Sequence, residues 1–127
     1  MKTVILKNVY AVGMHHWGSK ELCIGTTYFC EKEESNPWDR NAVAVFGDSG
    51  LKHKVCYLQK EDAKYINQIF GYLKGKSYQQ LKTQMGIEKY SKYKGPQQNC
   101  NIEFECENGD IPTILSFVKS CYEVQIK

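Results

Sequence analysis

A short run in the first third of the chain combines residue types suited to holding a ligand. The dipeptide Asn36-Pro37 favours a turn, because an Asn side chain can bond to nearby backbone and Pro fixes φ near about −65°. Trp38 and Asp39 follow at once and place an aromatic surface beside a carboxylate. The apolar run 42–46 behind them predicts a buried strand. We therefore expect the two side chains at the mouth of a strand, where rigid scaffolds present binding groups.

The same residues also allow a purely structural interpretation. An ordinary turn would pack the Trp38 ring on the edge of the core and use the Asp39 carboxylate to bond its own backbone. From residues 36–45 alone, both the ligand-binding and the structural interpretation stay open. The ligand-binding interpretation requires an exposed Trp38 indole.

The sequence predicts a helix at about residues 60–73. Ile66, Ile69, Phe70 and Leu73 fall at i, i+3, i+4 and i+7, which is one apolar stripe of a 3.6-residue period. Such a stripe needs a sheet face on which to be buried. The sequence therefore predicts a sheet beneath this helix.

A second helix and several strands complete the predicted domain. Residues 110–120 repeat the apolar stripe, with Asp110 as the N-cap. The predicted strands are residues 3–12, 22–30, 42–46, 54–58, 101–106 and 122–126, with a further extended segment possible at 78–85 and a long polar loop at 86–99. This order predicts a mainly β (α+β) domain, a small barrel-like sheet with flanking helices.

Length and hydropathy limit the class of protein. With 127 residues the chain is expected to be one domain, residues 1–127. No apolar stretch approaches the about 20 residues of a membrane span, and the first residues lack the features of a signal peptide. We expect a monomer without a membrane partner in a reducing intracellular compartment, which would be the nucleus in a eukaryote.

The six cysteines form no Cys-x-x-Cys pair and have no His at zinc-finger spacing. We therefore expect free thiols that act as small buried hydrophobes, and neither a metal nor another cofactor. Metal binding by His15, His16 and a cysteine is the alternative. Adjacent strand residues point to opposite faces, which makes it hard for both imidazoles to hold one ion.

Positive charge is concentrated in the middle of the chain. The net charge is +3, but residues 64–98 carry seven lysines against one acid, and 7 − 1 gives +6 for that segment. Between residues 74 and 94, six of these lysines are interleaved with three tyrosines. This composition suits contact with nucleic-acid backbone and bases, and it equally suits a solvated loop.

The run around Trp38 resembles the signature of the HIRAN domain, Asn-Pro-aromatic-Asp-basic-Asn-Ala-Ile/Val. Residues 12–18 resemble the earlier Gly-x-x-aromatic-aromatic segment of that family. Residues 55–63 resemble its later Gly-aromatic-Leu-basic element, which leads into a helix. The resemblance is strongest over residues 9–73 and implies an OB-like β-barrel with two flanking helices.

Members of the HIRAN family bind the 3′ end of single-stranded DNA, so the resemblance implies a non-catalytic nucleic-acid-binding module of DNA repair or replication-fork remodelling. An aromatic pair sandwiches the terminal base, and the Asp of the signature accepts a hydrogen bond from the free 3′-hydroxyl. Carried over, Trp38 is one face of the sandwich and His16 the other, or Trp17 if the register differs by one residue. Asp39 is the hydroxyl acceptor.

The resemblance implies further residues in the same groove. Asn36 would shape the pocket, His15 would contact phosphate, and Tyr57 and Lys60 would line the groove. His15-His16 departs from the family, which has a basic residue followed by Tyr, so a fixed positive charge is missing near neutral pH. This departure bears on 3′-end selectivity more than on the fold.

Partners and alternatives follow from the same resemblance. In its relatives the domain often precedes a helicase-like ATPase. No Gly-x-x-x-x-Gly-Lys-Ser/Thr occurs in these 127 residues, so such a motor would lie on a portion outside this sequence or on another chain. One alternative is a protein–protein interaction module on the same scaffold without nucleic-acid binding. The other is an enzyme using Asp39 and a nearby His for metal-assisted hydrolysis, for which a lone carboxylate is poor support.

Overall fold

The computed structural model describes residues 1–13, 22–74, 81–85, 90–91, 95–118 and 122–127. In chain order its elements are β1 (Lys2–Val12), β2 (Thr27–Lys32), β3 (Val43–Phe46), β4 (Lys54–Leu58), α1 (Lys60–Lys74), β5 (Leu81–Gln84), β6 (Tyr90–Ser91), β7 (Gly95–Cys106), a 3₁₀ turn (Asn108–Asp110), α2 (Ile111–Val118) and β8 (Glu123–Ile126). Among the described residues, no helix is both long and apolar enough to cross a membrane.

Within the described ranges, six strands close into an antiparallel barrel. Their order is β7-β5-β2-β3-β4-β1, and β1 pairs back with β7 along its whole length, from Lys2 opposite Cys106 to Val12 opposite Gln97. Closure leaves these strands no long open edge. The strands β8 and β6 add to the outside of β1 and β7. This is the mainly β, OB-like architecture with two helices that the sequence predicted.

A bulge bends β1, and the two halves of this strand pair with different neighbours, β8 and β4. The register with β7 shifts between Leu6 and Val9, and Asn8 in the bulge has a φ of 69°. Asn tolerates this left-handed conformation better than most residues, and bulges bend strands. The first half of β1 therefore pairs with β8, whereas Ala11 and Val12 at its end pair with β4.

The predicted helical stripe is buried as expected. Ile66, Ile69, Phe70 and Leu73 of α1 are each at most 3% exposed. Burial of an aliphatic side chain of this size contributes about 1.5–3 kcal/mol, so this face fixes α1 on the barrel. Helix α2 packs against α1, where the rings of Tyr72 and Phe117 meet edge to face at 5.8 Å between centroids.

Strand β7 begins at Gly95, so the prediction of a polar loop through residue 99 is wrong for its last part. The reason is Gln98, which occupies an inward position and is 1% exposed. Its Oε1 accepts the Leu22 N–H at 2.9 Å and its Nε2 donates to the Leu22 carbonyl at 3.1 Å. Because a polar residue occupies this buried position, the alternation of apolar and polar residues that indicates a strand is interrupted at Gln98.

Strand β2 begins at Thr27 and not at residue 22 as predicted. The bonds to Gln98 hold Leu22 outside the strand, and Gly25, with a φ of 85°, interrupts the extended run. Cys23 is consequently an exposed residue of the connection, although the sequence placed it on one strand with Cys30.

The five described cysteines are free thiols, and Cys121 lies outside the described residues. Cys30, Cys56, Cys100 and Cys106 are buried. Burial raises the pKa of the Cys30 and Cys56 thiols well above the usual value, and that of Cys100 to about 12. We therefore expect Cys30, Cys56 and Cys100 to react slowly in the folded protein.

Candidate functional site

The run around Trp38 forms the connection between β2 and β3. Its two ends are joined by a hydrogen bond of 2.8 Å from the Glu33 N–H to the Ala42 carbonyl. The Asn36 N–H donates to the Glu33 carbonyl at 3.2 Å, and the Ala42 N–H donates to the Asp39 carbonyl at 3.1 Å. The connection is therefore a closed, hydrogen-bonded loop mounted on two barrel strands.

Asn36 organises the tip of this loop as the turn chemistry predicted. Its Oδ1 accepts the backbone N–H of Trp38 at 2.9 Å and that of Asp39 at 3.0 Å. Asn side chains commonly mimic a backbone turn in this way. The backbone beneath the two candidate binding residues is consequently fixed by one amide oxygen.

Trp38 is 88% exposed, so the interpretation that places its ring on the edge of the core is wrong. An indole is a large apolar surface, and Trp side chains are on average highly buried in folded proteins. The loop holds the indole in solvent on a backbone that is already ordered.

For Asp39, the interpretation that its carboxylate bonds the backbone of its own loop is correct in part. Its Oδ1 accepts the Asn41 N–H at 2.9 Å, so the side chain does bond its own loop. Among the described residues, no further hydrogen bond to the Asp39 carboxylate is present. The side chain also lines a depression of about 300 Å³ together with Asn41, Lys60, Glu61 and Lys64. The structure thus places Asp39 and Lys60 in one depression, and a role of either residue in binding stays a prediction.

Helix α1 supplies the other wall of this depression. The Asn67 Nδ2 donates to the Asn41 Oδ1 at 2.8 Å and ties the loop to the helix. Lys60 and Lys64 lie four residues apart and therefore on the same helix face. Sequence reasoning missed Asn41, Lys64 and Asn67, although the i, i+4 spacing of the lysines was a usable signal.

Behind the loop, a carboxylate joins it to β4. The Tyr57 hydroxyl donates to Glu33 Oε1 at 2.7 Å, and the Lys54 ammonium donates to Glu33 Oε2 at 2.5 Å. The Asn36 Nδ2 also donates to Oε1, at 3.1 Å. We call Glu33, Lys54 and Tyr57 the Glu33 cluster. It places Tyr57, a predicted groove residue, under the loop.

The charges in the Glu33 cluster stabilise each other. Partial burial acts to raise the pKa of Glu33, but hydrogen bonds from Lys54, Tyr57 and Asn36 outweigh it and hold the pKa below the ordinary 4.5. Burial likewise acts to lower the pKa of Lys54, and its bonds to Glu33 and Tyr57 raise it above 10.5. Both directions describe the same ion pair.

His15, His16 and Trp17 lie outside the described residues, so their predicted places in the groove stay predictions. The described residues that precede this segment in the sequence end at Gly13, which has a φ of 78°. Val12 lies opposite Tyr57 of β4. The end of β1 is therefore paired with the strand that carries Lys54 and Tyr57.

A closed barrel of six antiparallel strands within the described ranges defines the class of this protein as an OB-like domain. More particularly, a search of solved structures found the crystal structure of the HIRAN domain of human HLTF. The likeness has a TM-score of 0.66 and 15% sequence identity, and it covers 93% of this chain and 90% of that chain. The HIRAN fold expected from the residue pattern is thereby confirmed.

Neither a scan of protein-family models nor a search of curated proteins gave a match. At 15% identity the structural likeness establishes the fold alone. The chemistry of the site must therefore be argued from this chain's own residues.

Proposed function

We propose that this domain is a non-catalytic module that binds single-stranded DNA at its 3′ end, in the depression beside Trp38 and Asp39. The observation that carries the proposal is the 88% exposure of Trp38 on a loop whose next residue, Asp39, lines a depression with two lysines. Base-stacking aromatics beside cations are the recurring means by which OB-like barrels hold single strands.

The indole would supply most of the binding free energy. A base stacked on an aromatic side chain contributes about 1–3 kcal/mol by alanine substitution. Because Asn36 already orders the backbone of the turn, little conformational entropy remains to be lost when a base arrives. Stacking is tolerant of sequence, so we expect weak preference among bases.

The charged groups of the depression would determine which end of a DNA strand is bound. The depression is lined by two lysines and two acids, Asp39 and Glu61, so phosphate is favoured at one part of it and opposed at another. Lys60 and Lys64 suit the last phosphodiester of a strand, whereas the Asp39 carboxylate repels any phosphate placed beside it. A terminal 3′-hydroxyl can donate to that carboxylate, and a charge-assisted bond of this kind is stronger than a neutral one. The arrangement therefore favours a free end over a continuing strand.

Fluorescence anisotropy with labelled oligonucleotides at low salt tests the proposal. We expect a single-stranded oligonucleotide with a free 3′-hydroxyl to bind more tightly than a blunt duplex of the same sequence, with affinity falling as salt rises. Absence of binding to any oligonucleotide at low salt would remove the proposal.

The second candidate is a protein–protein interaction module, which the exposed indole also favours because Trp is enriched among interface hot spots. In that case no salt-dependent oligonucleotide binding is expected. For the leading candidate, the resemblance to HIRAN domains supports a role in DNA repair or fork remodelling, with a helicase-like ATPase on the same or another chain as the partner.

A further inference from the structure

Glu33 is the point at which three side-chain donors of the described residues converge. Tyr57 and Asn36 donate to its Oε1, and Lys54 donates to its Oε2. The donors come from different places, since Lys54 and Tyr57 lie on β4 and Asn36 lies in the loop. The carboxylate therefore connects the loop to the barrel wall.

A carboxylate is the group that suits this position. It has two acceptor oxygens and no donor, so it can take all three hydrogen bonds without conflict. The isosteric amide of Gln has one oxygen and one NH₂. With Gln at position 33, the Lys54 ammonium, which is the strongest of the three donors, would bond to the single amide oxygen. The NH₂ group of the Gln would then face Tyr57 and Asn36.

The bond to Glu33 decides how the Asn36 amide is oriented. An Asn amide can be turned by about 180°, which exchanges its oxygen and its nitrogen. Because Nδ2 donates to Glu33, Oδ1 faces the turn, where it accepts the N–H groups of Trp38 and Asp39. In the opposite orientation the NH₂ would face these two N–H groups and both bonds would be lost.

We propose that Glu33 is a positioning residue of the binding loop: held by Lys54 and Tyr57, its carboxylate orients the Asn36 amide and thereby fixes the backbone that presents Trp38 and Asp39. The effect on DNA affinity rests on the proposed function, whereas the effect on the loop does not. Glu33 touches no ligand in this scheme and acts through Asn36.

The first test is Glu33→Gln, read by NMR hydrogen exchange of the Trp38 and Asp39 amides. We expect both amides to exchange about tenfold faster, the equivalent of one lost hydrogen bond, while the amides of Ile66 and Ile69 in α1 keep their rates and report an intact fold. The matched control is Glu34→Gln, which removes the same charge from the neighbouring residue, where the carboxylate pairs with Lys32 at 3.1 Å. That control is expected to leave both turn amides unchanged.

A rescue variant separates amide orientation from general damage. In Glu33→Gln/Lys54→Met the ammonium no longer competes for the Gln oxygen, which can then accept from Tyr57 and Asn36 as the carboxylate does. We expect exchange of the two turn amides to return to within about twofold of wild type. Lys54→Met alone keeps the carboxylate with its bonds from Tyr57 and Asn36 and is expected to leave both amides near wild type. If Glu33→Gln fails to fold, Glu33→Asp carries the test, because it keeps the charge but draws the carboxylate back from Asn36, and we expect both turn amides to exchange faster.

The outcomes decide between mechanisms. Equal exchange in Glu33→Gln and Glu34→Gln overturns the positioning role, as does wild-type exchange of both turn amides in Glu33→Asp. Fast exchange in Glu33→Gln without recovery in the double variant overturns the amide-orientation mechanism. Affinity for a 3′-hydroxyl oligonucleotide should follow the same pattern, with about a tenfold loss and recovery. If wild type binds no oligonucleotide, the proposed function fails, while the exchange data still decide the role of Glu33.

Discussion

Asn36 and Trp38 are joined by a hydrogen bond of 2.9 Å from the Trp38 N–H to the Asn36 Oδ1, while the indole itself is 88% exposed. The backbone of the residue is thus fixed and its side chain is left in solvent. This combination predicts that substitutions at the two positions differ in their effect on stability.

Substitution of the indole should affect binding and not stability. We expect Trp38→Ala to weaken binding of a single-stranded oligonucleotide by about 1–3 kcal/mol, the usual contribution of a base–aromatic stack. Its free energy of unfolding should change by about 0.5 kcal/mol or less, because the ring is 88% exposed. Trp38→Phe, which keeps an aromatic face, should retain part of the affinity. Unchanged affinity in Trp38→Ala, measured by anisotropy, would contradict the stacking role.

Substitution of the turn residue should affect both properties. Asn36→Ala removes the acceptor of two backbone N–H groups and the donor to Glu33. We expect a loss of about 0.5–1.5 kcal/mol in urea unfolding, together with weaker oligonucleotide binding. Affinity equal to that of wild type would show that the order of the turn is irrelevant to the ligand.

Local signals in the sequence were sufficient to predict much of the fold. The stripe of Ile66, Ile69, Phe70 and Leu73 predicted α1 and its buried face, because the 3.6-residue period of a helix can be recognised within a short stretch of sequence. The Asn36 turn was predictable for the same reason, since its bonds span two or three residues. The exposure of Trp38 decided between interpretations that the sequence left open.

Contacts between distant residues could not be predicted in this way. Glu33 meets Lys54 and Tyr57 across 21 and 24 positions, and Gln98 meets Leu22 across 76. None of these residues belongs to a motif or a periodic pattern that indicates its partner. Their pairing depends on strand order, which becomes visible in the closed barrel.

A buried carboxylate holds the start of α1 against β1 and predicts a dependence of stability on pH. Asp62, 5% exposed, accepts the Tyr10 N–H at 2.9 Å and the Tyr122 hydroxyl. Burial raises its pKa above the ordinary 3.8, against hydrogen bonds from Tyr122, Tyr10 and Gln59 that lower it. The folded state then binds the proton more tightly than the unfolded state, so this residue contributes more stability as pH falls through its folded-state pKa toward 3.8.

The matched pair Asp62→Asn and Asp62→Ala tests this. At neutral pH we expect Asp62→Ala to lose about 1–3 kcal/mol, because Tyr10 and Tyr122 lose this acceptor, and Asp62→Asn to lose less, since an amide oxygen can replace one carboxylate oxygen. In urea unfolding at several pH values, wild type should gain stability relative to Asp62→Asn as the solution is acidified. A relative loss on acidification would show that the pKa of Asp62 is lowered instead.

The thiols should differ sharply in reactivity. Cys23 is exposed, whereas Cys30, Cys56 and Cys100 are buried with raised pKa values, so the thiolate that reacts is scarce there. With an alkylating reagent under native conditions, mass spectrometry should find Cys23 modified early and these three modified after unfolding. Early modification of Cys56 or Cys100 would contradict the closed barrel.

The most direct test of the proposed function compares oligonucleotides that end in a 3′-hydroxyl or a 3′-phosphate, for wild type and Asp39→Asn. This substitution keeps an oxygen that can accept the Asn41 N–H, so the loop is preserved while the charge is removed. We predict that wild type prefers the hydroxyl end by about 1.5–3 kcal/mol, the contribution of a hydrogen bond to a charged group, and that Asp39→Asn loses most of this preference without losing affinity for the phosphorylated end. Equal affinity of wild type for the two ends, or an equal loss for both in Asp39→Asn, would contradict recognition of the 3′ end by this residue.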